Sequence, residues 1–142
     1  MKKLFGLTLF IVLALALSAC GTGSSPTLTG TLWQWTAMQT TVPASQSAVP
    51  PSDVSKYTIT FNTDGTADIK ADCNNVTANY TTSGNDLTIT LGASTLMYCG
   101  DASQDTIFLT SLGQVGSYTL EDGGLQLIFP GDNGKMDFRA GR

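Results

Sequence analysis

The stretch Tyr57-Thr58-Ile59-Thr60-Phe61-Asn62-Thr63-Asp64-Gly65-Thr66-Ala67-Asp68-Ile69-Lys70-Ala71 decides how the rest of the chain is read. Tyr57, Ile59 and Phe61 alternate with Thr58, Thr60 and Asn62, which is the two-residue period of a strand with one wet face. Asn62-Thr63-Asp64-Gly65 carries turn residues, and Ala67, Ile69 and Ala71 resume the alternation, so the segment reads as a β-hairpin. A calcium-loop reading of residues 60–71 fails, because Thr60 and Ala71 occupy the positions where that loop needs Asp and Glu.

Working outward, the same period recurs. Trp33, Trp35 and Ala37 share one face of a first strand. Gln39 to Asp53, with Pro43, Pro50 and Pro51, reads as a long loop, since proline removes donors that a strand requires. Downstream, the segments Tyr80 to Leu91 and Tyr118 to Phe129 resemble each other: a Tyr, a polar turn, then a Leu seven residues on and an alternating strand. A last strand follows Gly131-Asp132-Asn133-Gly134, with Met136 and Phe138 facing inward. One segment departs from the period. Ile107, Phe108 and Leu112 recur as a helix stripe, with Asp101 or Ser103 to cap its start and Gly113 to end it. The expected fold is mainly β, with seven or eight strands and one short α-helix. Edge management favours a small antiparallel barrel or a strongly curled meander sheet.

The N-terminus is read separately. Lys2 and Lys3, the apolar run from Leu4 to about Leu17 and Leu17-Ser18-Ala19-Cys20 form an export signal over residues 1–19. The apolar run is shorter than the roughly 20 residues of a spanning helix. Leu17-Ser18-Ala19-Cys20 resembles the bacterial lipobox, which implies that Cys20 is acylated, with fatty chains such as palmitate, and begins the mature protein. Residues 20–29, rich in Gly, Ser and Thr, then form a flexible tether, and residues 30–140 the folded domain. The expected location is the cell envelope, with the domain lipid-anchored and facing the periplasm or exterior.

Without Lys2 and Lys3, five basic side chains face eleven acidic ones, a net charge of −6. Such a surface is repelled by nucleic acid and anionic headgroups, so membrane contact is assigned to the lipid on Cys20 alone. The 123 mature residues suffice for one domain, expected to be a monomer. Cys73 and Cys99, exported to an oxidising compartment, are read as a disulfide. A redox or metal role is disfavoured because they form no Cys-x-x-Cys and the chain has no histidine.

Several residues together resemble the META domain family of HslJ-like bacterial lipoproteins. They are Gly30-Thr31-Leu32-Trp33, Tyr57 to Gly65, Asp72-Cys73-Asn74-Asn75, Tyr80-Thr81, Leu87-Thr88-Ile89, Ser94-Thr95-Leu96-Met97-Tyr98-Cys99, Phe108-Leu109 and Leu125-Gln126-Leu127. Their order over residues 28–139 carries the resemblance. It departs at Asp72, where Gly is commoner, at Gly100, where Pro often follows the second cysteine, and in the Pro-rich loop. The resemblance implies a curled β fold, links to stress response, drug tolerance, motility or secretion, and no general enzymatic activity.

The residue inventory agrees on chemistry. With no histidine there is no Ser-His or Cys-His pair and no histidine-based zinc site. Asp64, Asp86, Asp122 and Asp132 stand at turns, where Asp bonds its own backbone. No catalytic residue, metal or cofactor is assigned. Trp33 and Trp35 are candidate ligand-stacking residues, with strand alternation favouring the core. Asn74 and Asn75 are candidates to line a pocket beside the disulfide, with a buried turn-closing Asn as the alternative. The expected function is that of a non-catalytic binding or stress-protective module. The rivals are a protein-interaction factor or protease inhibitor acting on an envelope protein through the 39–53 loop, and a carrier of small hydrophobic ligands.

Overall fold

The computed structural model describes residues 26–50 and 52–141. Nine strands lie within them: β1 (Leu32–Thr41), β2 (Ala44–Ala48), β3 (Tyr57–Phe61), β4 (Thr66–Ala71), β5 (Asn74–Ser83), β6 (Asp86–Ser94), β7 (Ser117–Glu121), β8 (Gly124–Ile128) and β9 (Gly134–Ala140). A single α-helix, α1 (Asp105–Leu112), sits between β6 and β7. The strands form one antiparallel sheet in the order β2-β1-β3-β4-β5-β6-β7-β8-β9, and β1 also pairs with β9.

The opening hairpin forms as its alternation requires. Ile59 faces Ile69 and Phe61 faces Ala67 across the β3–β4 ladder, all on the buried face. Gly65, with φ of +85°, turns the chain, and the Asp64 carboxylate accepts from Thr66 N (2.9 Å) and Thr66 Oγ1 (2.6 Å). The two similar segments become the β5–β6 and β7–β8 hairpins.

The sheet curls into a ring without being a barrel, which corrects the barrel alternative. A barrel needs a continuous ladder all round, whereas β6 and β7 share one register pair, Asp86 with Ser117. Strand β1 also forks. Along one edge it follows β9, while on the other its start pairs with β3 and its end with β2.

Three further expectations are corrected. The 39–53 segment is not a loop throughout: Ala44–Ala48 pairs with Ala37–Thr41 as a hairpin, with Val42 and Pro43 at its turn. Its side chains are polar or small and mostly exposed, so no hydrophobic alternation announced it. In β1, a bulge between Trp35 and Ala37 shifts the register, and Met38 takes the inward position in place of Ala37. In α1 the buried residues are Phe108, Ser111 and Leu112, while Ile107 is 39% exposed. Gly113 does close that helix, with its N–H donating to Leu109 O at 3.2 Å. At the start, Ser103 Oγ accepts from Asp105 N at 3.3 Å.

The interior is filled by side chains. Trp33, Trp35, Ile59, Phe61, Leu87, Phe108, Leu112, Leu125, Leu127 and Met136 are fully enclosed. Helix α1 drives Phe108 against Trp35, stacked at 5.1 Å between ring centroids, with Tyr57 edge-on to both at 5.6 Å. The packed unit begins ahead of Gly30: Leu28 is buried, its carbonyl accepts from Trp33 Nε1 (3.0 Å), and Thr29 bridges to Phe61. Among the described residues no helix is long and apolar enough to cross a membrane.

Candidate functional site

Strand β4 ends at Ala71, and Asp72, with φ of +56°, reverses the chain into Cys73 and the first residue of β5, Asn74. The segment from Thr95 to Gln104 returns over this corner on its way from β6 to α1. Cys73 and Cys99 are disulfide-bonded, with Cα atoms 5.6 Å apart. The bond fastens the far side of the returning loop to the β4–β5 corner.

Asn74 does the rest of the fastening. Only 4% exposed, it directs Nδ2 at Met97 O (3.0 Å), Cys99 Sγ (3.3 Å) and Asp105 Oδ2 (3.3 Å). Its Oδ1 accepts from Met97 N (2.8 Å) and Thr95 Oγ1 (2.9 Å). A buried amide must find partners for both ends, and this one finds them on the loop backbone. Next along β5, Asn75 N donates to Thr95 Oγ1 (3.0 Å), and Thr95 N donates to Asn75 O (3.1 Å). Tyr57 Oη, accepting from Gln104 N at 2.8 Å, secures the end of the segment.

With the backbone held, the side chains point away. Leu96 is 94% exposed, Met97 55% and Tyr98 80%. Three consecutive large apolar residues in solvent form an exposed apolar patch, which makes them a candidate contact surface. The Tyr98 hydroxyl donates to the Asp101 carboxylate, which raises the phenol above its ordinary pKa. No charged residue lies between Thr95 and Gly100.

Of the residues singled out in the sequence, Cys73, Cys99 and Asn74 meet at this corner. Asn75 stands beside them and lines an outward-facing cavity of about 480 Å³ with Leu32, Thr58, Lys70 and Thr77. Trp33 and Trp35 are enclosed, their indole N–H groups donating to Leu28 O (3.0 Å) and Ala37 O (2.9 Å). Trp35 reaches the loop only indirectly, through Tyr57. Cys20 lies outside the described residues. Leu96, Met97 and Tyr98 were missed as site residues; their signal is an apolar run just before a cysteine, where neither strand nor helix period applies. Among the described residues no three His, Cys, Asp or Glu side chains gather to hold a metal.

Comparisons with known proteins agree with the fold. The family model described as META domain matches residues 26–140. A protein from Burkholderia xenovorans, solved by NMR, is similar over 80% of this chain and 83% of its own, with a TM-score of 0.62 and 21% identity. The crystal structure of a DUF4847 family protein from Bacteroides vulgatus is similar over 79% of this chain and 93% of its own, with a TM-score of 0.60 and 13% identity. At those identities the likeness is one of fold. No curated protein matches the chain.

Proposed function

The chain belongs to the META domain family, and from that premise we propose that it is a non-catalytic binding module, held at the cell envelope by lipid on Cys20, whose contact surface is the Thr95–Cys99 loop. The observation that carries this reading is the contrast within five residues. The backbone is tied down by Asn74, Thr95 and the disulfide, while Leu96, Met97 and Tyr98 stand out in water. Ordering the loop in advance removes part of the entropy cost of binding, so a small apolar surface can suffice. The anchor rests on Leu17-Ser18-Ala19-Cys20 and on the tether that follows it. One lipid chain binds reversibly and two or more bind lastingly, so multiple acylation at Cys20 would keep the domain at the bilayer.

The 39–53 segment is no longer favoured as the contact, because half of it is committed to the β1–β2 hairpin. The carrier reading loses its support as well, since the ring interior is occupied by tryptophan, phenylalanine and leucine side chains.

Two measurements test the proposal separately. Mass spectrometry of the mature N-terminal peptide should find acylated Cys20, lost on Cys20→Ser; an unmodified terminus elsewhere removes the anchor. A photo-crosslinking residue at position 96 should give a discrete adduct on cells, and one at exposed position 88 should not. Equal labelling from both positions argues against the loop.

A further inference from the structure

We propose that the Thr95–Cys99 loop is a substrate-like inhibitory loop for a serine protease with an apolar primary-specificity pocket, and that Leu96 enters that pocket. The inference rests on the binding-module reading and names its partner.

A serine protease takes its substrate as an exposed backbone, sets one side chain in a pocket and receives that residue's carbonyl oxygen among oxyanion donors. Leu96 meets those demands. Its side chain is almost wholly in solvent, and among the described residues neither its N–H nor its C=O has a hydrogen-bond partner. The residues on either side are held. Thr95 is pinned to β5 through its N–H and hydroxyl, and Met97 is bonded to Asn74 through both its N–H (2.8 Å) and its carbonyl (3.0 Å). Cys99 follows, covalently fixed to Cys73. The Leu96 carbonyl is thus the free end of the Leu96–Met97 amide, whose N–H is held by Asn74 Oδ1, and Leu96 lies between two clamped points.

That arrangement separates an inhibitor from a substrate. Attack by the protease serine on the Leu96 carbonyl breaks the bond to the Met97 nitrogen and forms an ester, the amine leaving with the proton passed from the serine. In an ordinary substrate the amine diffuses away and water then releases the acid. Here the amine stays at Asn74 Oδ1, its carbonyl stays on Asn74 Nδ2, and the disulfide holds the chain beyond it. The amine therefore remains positioned to reverse the step, and its effective concentration far exceeds that of a free product. A leucine selects an apolar pocket; a pocket with a buried carboxylate would need Lys or Arg there. Inhibitor interfaces of this kind also bind with little backbone movement, as a loop already held in place allows.

The full mature protein in detergent should inhibit chymotrypsin or subtilisin, the two apolar-pocket probes, at near-stoichiometric concentration, and leave trypsin untouched. Leu96→Lys, at a fully exposed position where folding is not at stake, should weaken that inhibition at least about a hundredfold and create inhibition of trypsin. Asn74→Ala should turn the loop into a substrate, with cleavage between residues 96 and 97 accumulating at least tenfold faster than in the parent. Absence of inhibition of both apolar-pocket enzymes at micromolar concentration overturns the proposal, as does inhibition indifferent to Leu96→Lys. If the crosslink from position 96 forms while the proteases run freely, the binding module stands and its inhibitory role falls. Vesicle binding through Leu96 without inhibition likewise overturns the inhibitory role.

Discussion

Asn74 shows how much a single amide can organise. Five polar groups from the loop and the start of α1 surround it, and it is nearly closed to solvent. Removing a buried group with such partners costs about 1–3 kcal/mol beyond any lost packing. Asn74→Ala should therefore lower unfolding stability by that amount in urea titration, with increased hydrogen exchange at Met97 N–H; unchanged exchange there would show that the loop is held by something else. Asp64 offers a second test. Its carboxylate accepts two bonds from Thr66, which lowers its pKa below the ordinary value. A carboxylate with a depressed folded pKa contributes stability above the unfolded value, near 3.9, and loses it as pH falls through the folded one. Asp64→Ala should lower Tm at neutral pH, and the gap to the parent should close as the pH is taken below about 4. A gap that stays constant across that range would mean that the charge is not involved. Asn74 was legible in the sequence as a buried turn-closing residue beside a cysteine. Its partners were not, because they lie more than twenty residues away.

At the scale of elements, β1 is the busiest strand. The bulge at Thr36 is stabilised on both sides: its hydroxyl donates to Asp137 O (2.9 Å) and its carbonyl accepts from Val49 N (2.9 Å). Opposite the end of β1, Gly134 begins β9 with φ of +130°, and a Cβ there would fall 2.1 Å from Gln39 O and 2.7 Å from Thr40 Cα. Gly134→Ala should cost about 2–4 kcal/mol, because both the backbone angle and the close approach refuse a methyl group. A neutral result in thermal denaturation would require the β1–β9 ladder to yield. Helix α1 contributes chiefly through Phe108, and Phe108→Ala should destabilise by about 3–5 kcal/mol. The helix itself could be read from its stripe and its closing Gly113. The outward turn of Ile107 could not, since eight residues against a curled sheet expose a face that only the neighbouring strands define.

For the molecule as a whole, the Cys73–Cys99 bond closes a segment with a sequence separation of 26 that contains β5, β6 and the apolar loop. On the chain-entropy account a loop of that size contributes roughly 3–4 kcal/mol. Reduction, or Cys73→Ala with Cys99→Ala, should shift the denaturation midpoint accordingly; an unmoved midpoint would mean that the bond serves the loop and not the fold. The amino-acid order alone determined the alternating hairpins, the short helix, the paired cysteines and the poverty of catalytic groups. Period, turn chemistry and composition are local properties that act over a few residues. Only the tertiary structure decided that the curled sheet stops short of a barrel, that β2 pairs where a loop was expected, and that Met38 replaces Ala37 in the core. It also decided that Leu96, Met97 and Tyr98 face water. Each of these depends on which distant backbone lies alongside, and local patterning carries no information about a partner remote in the chain.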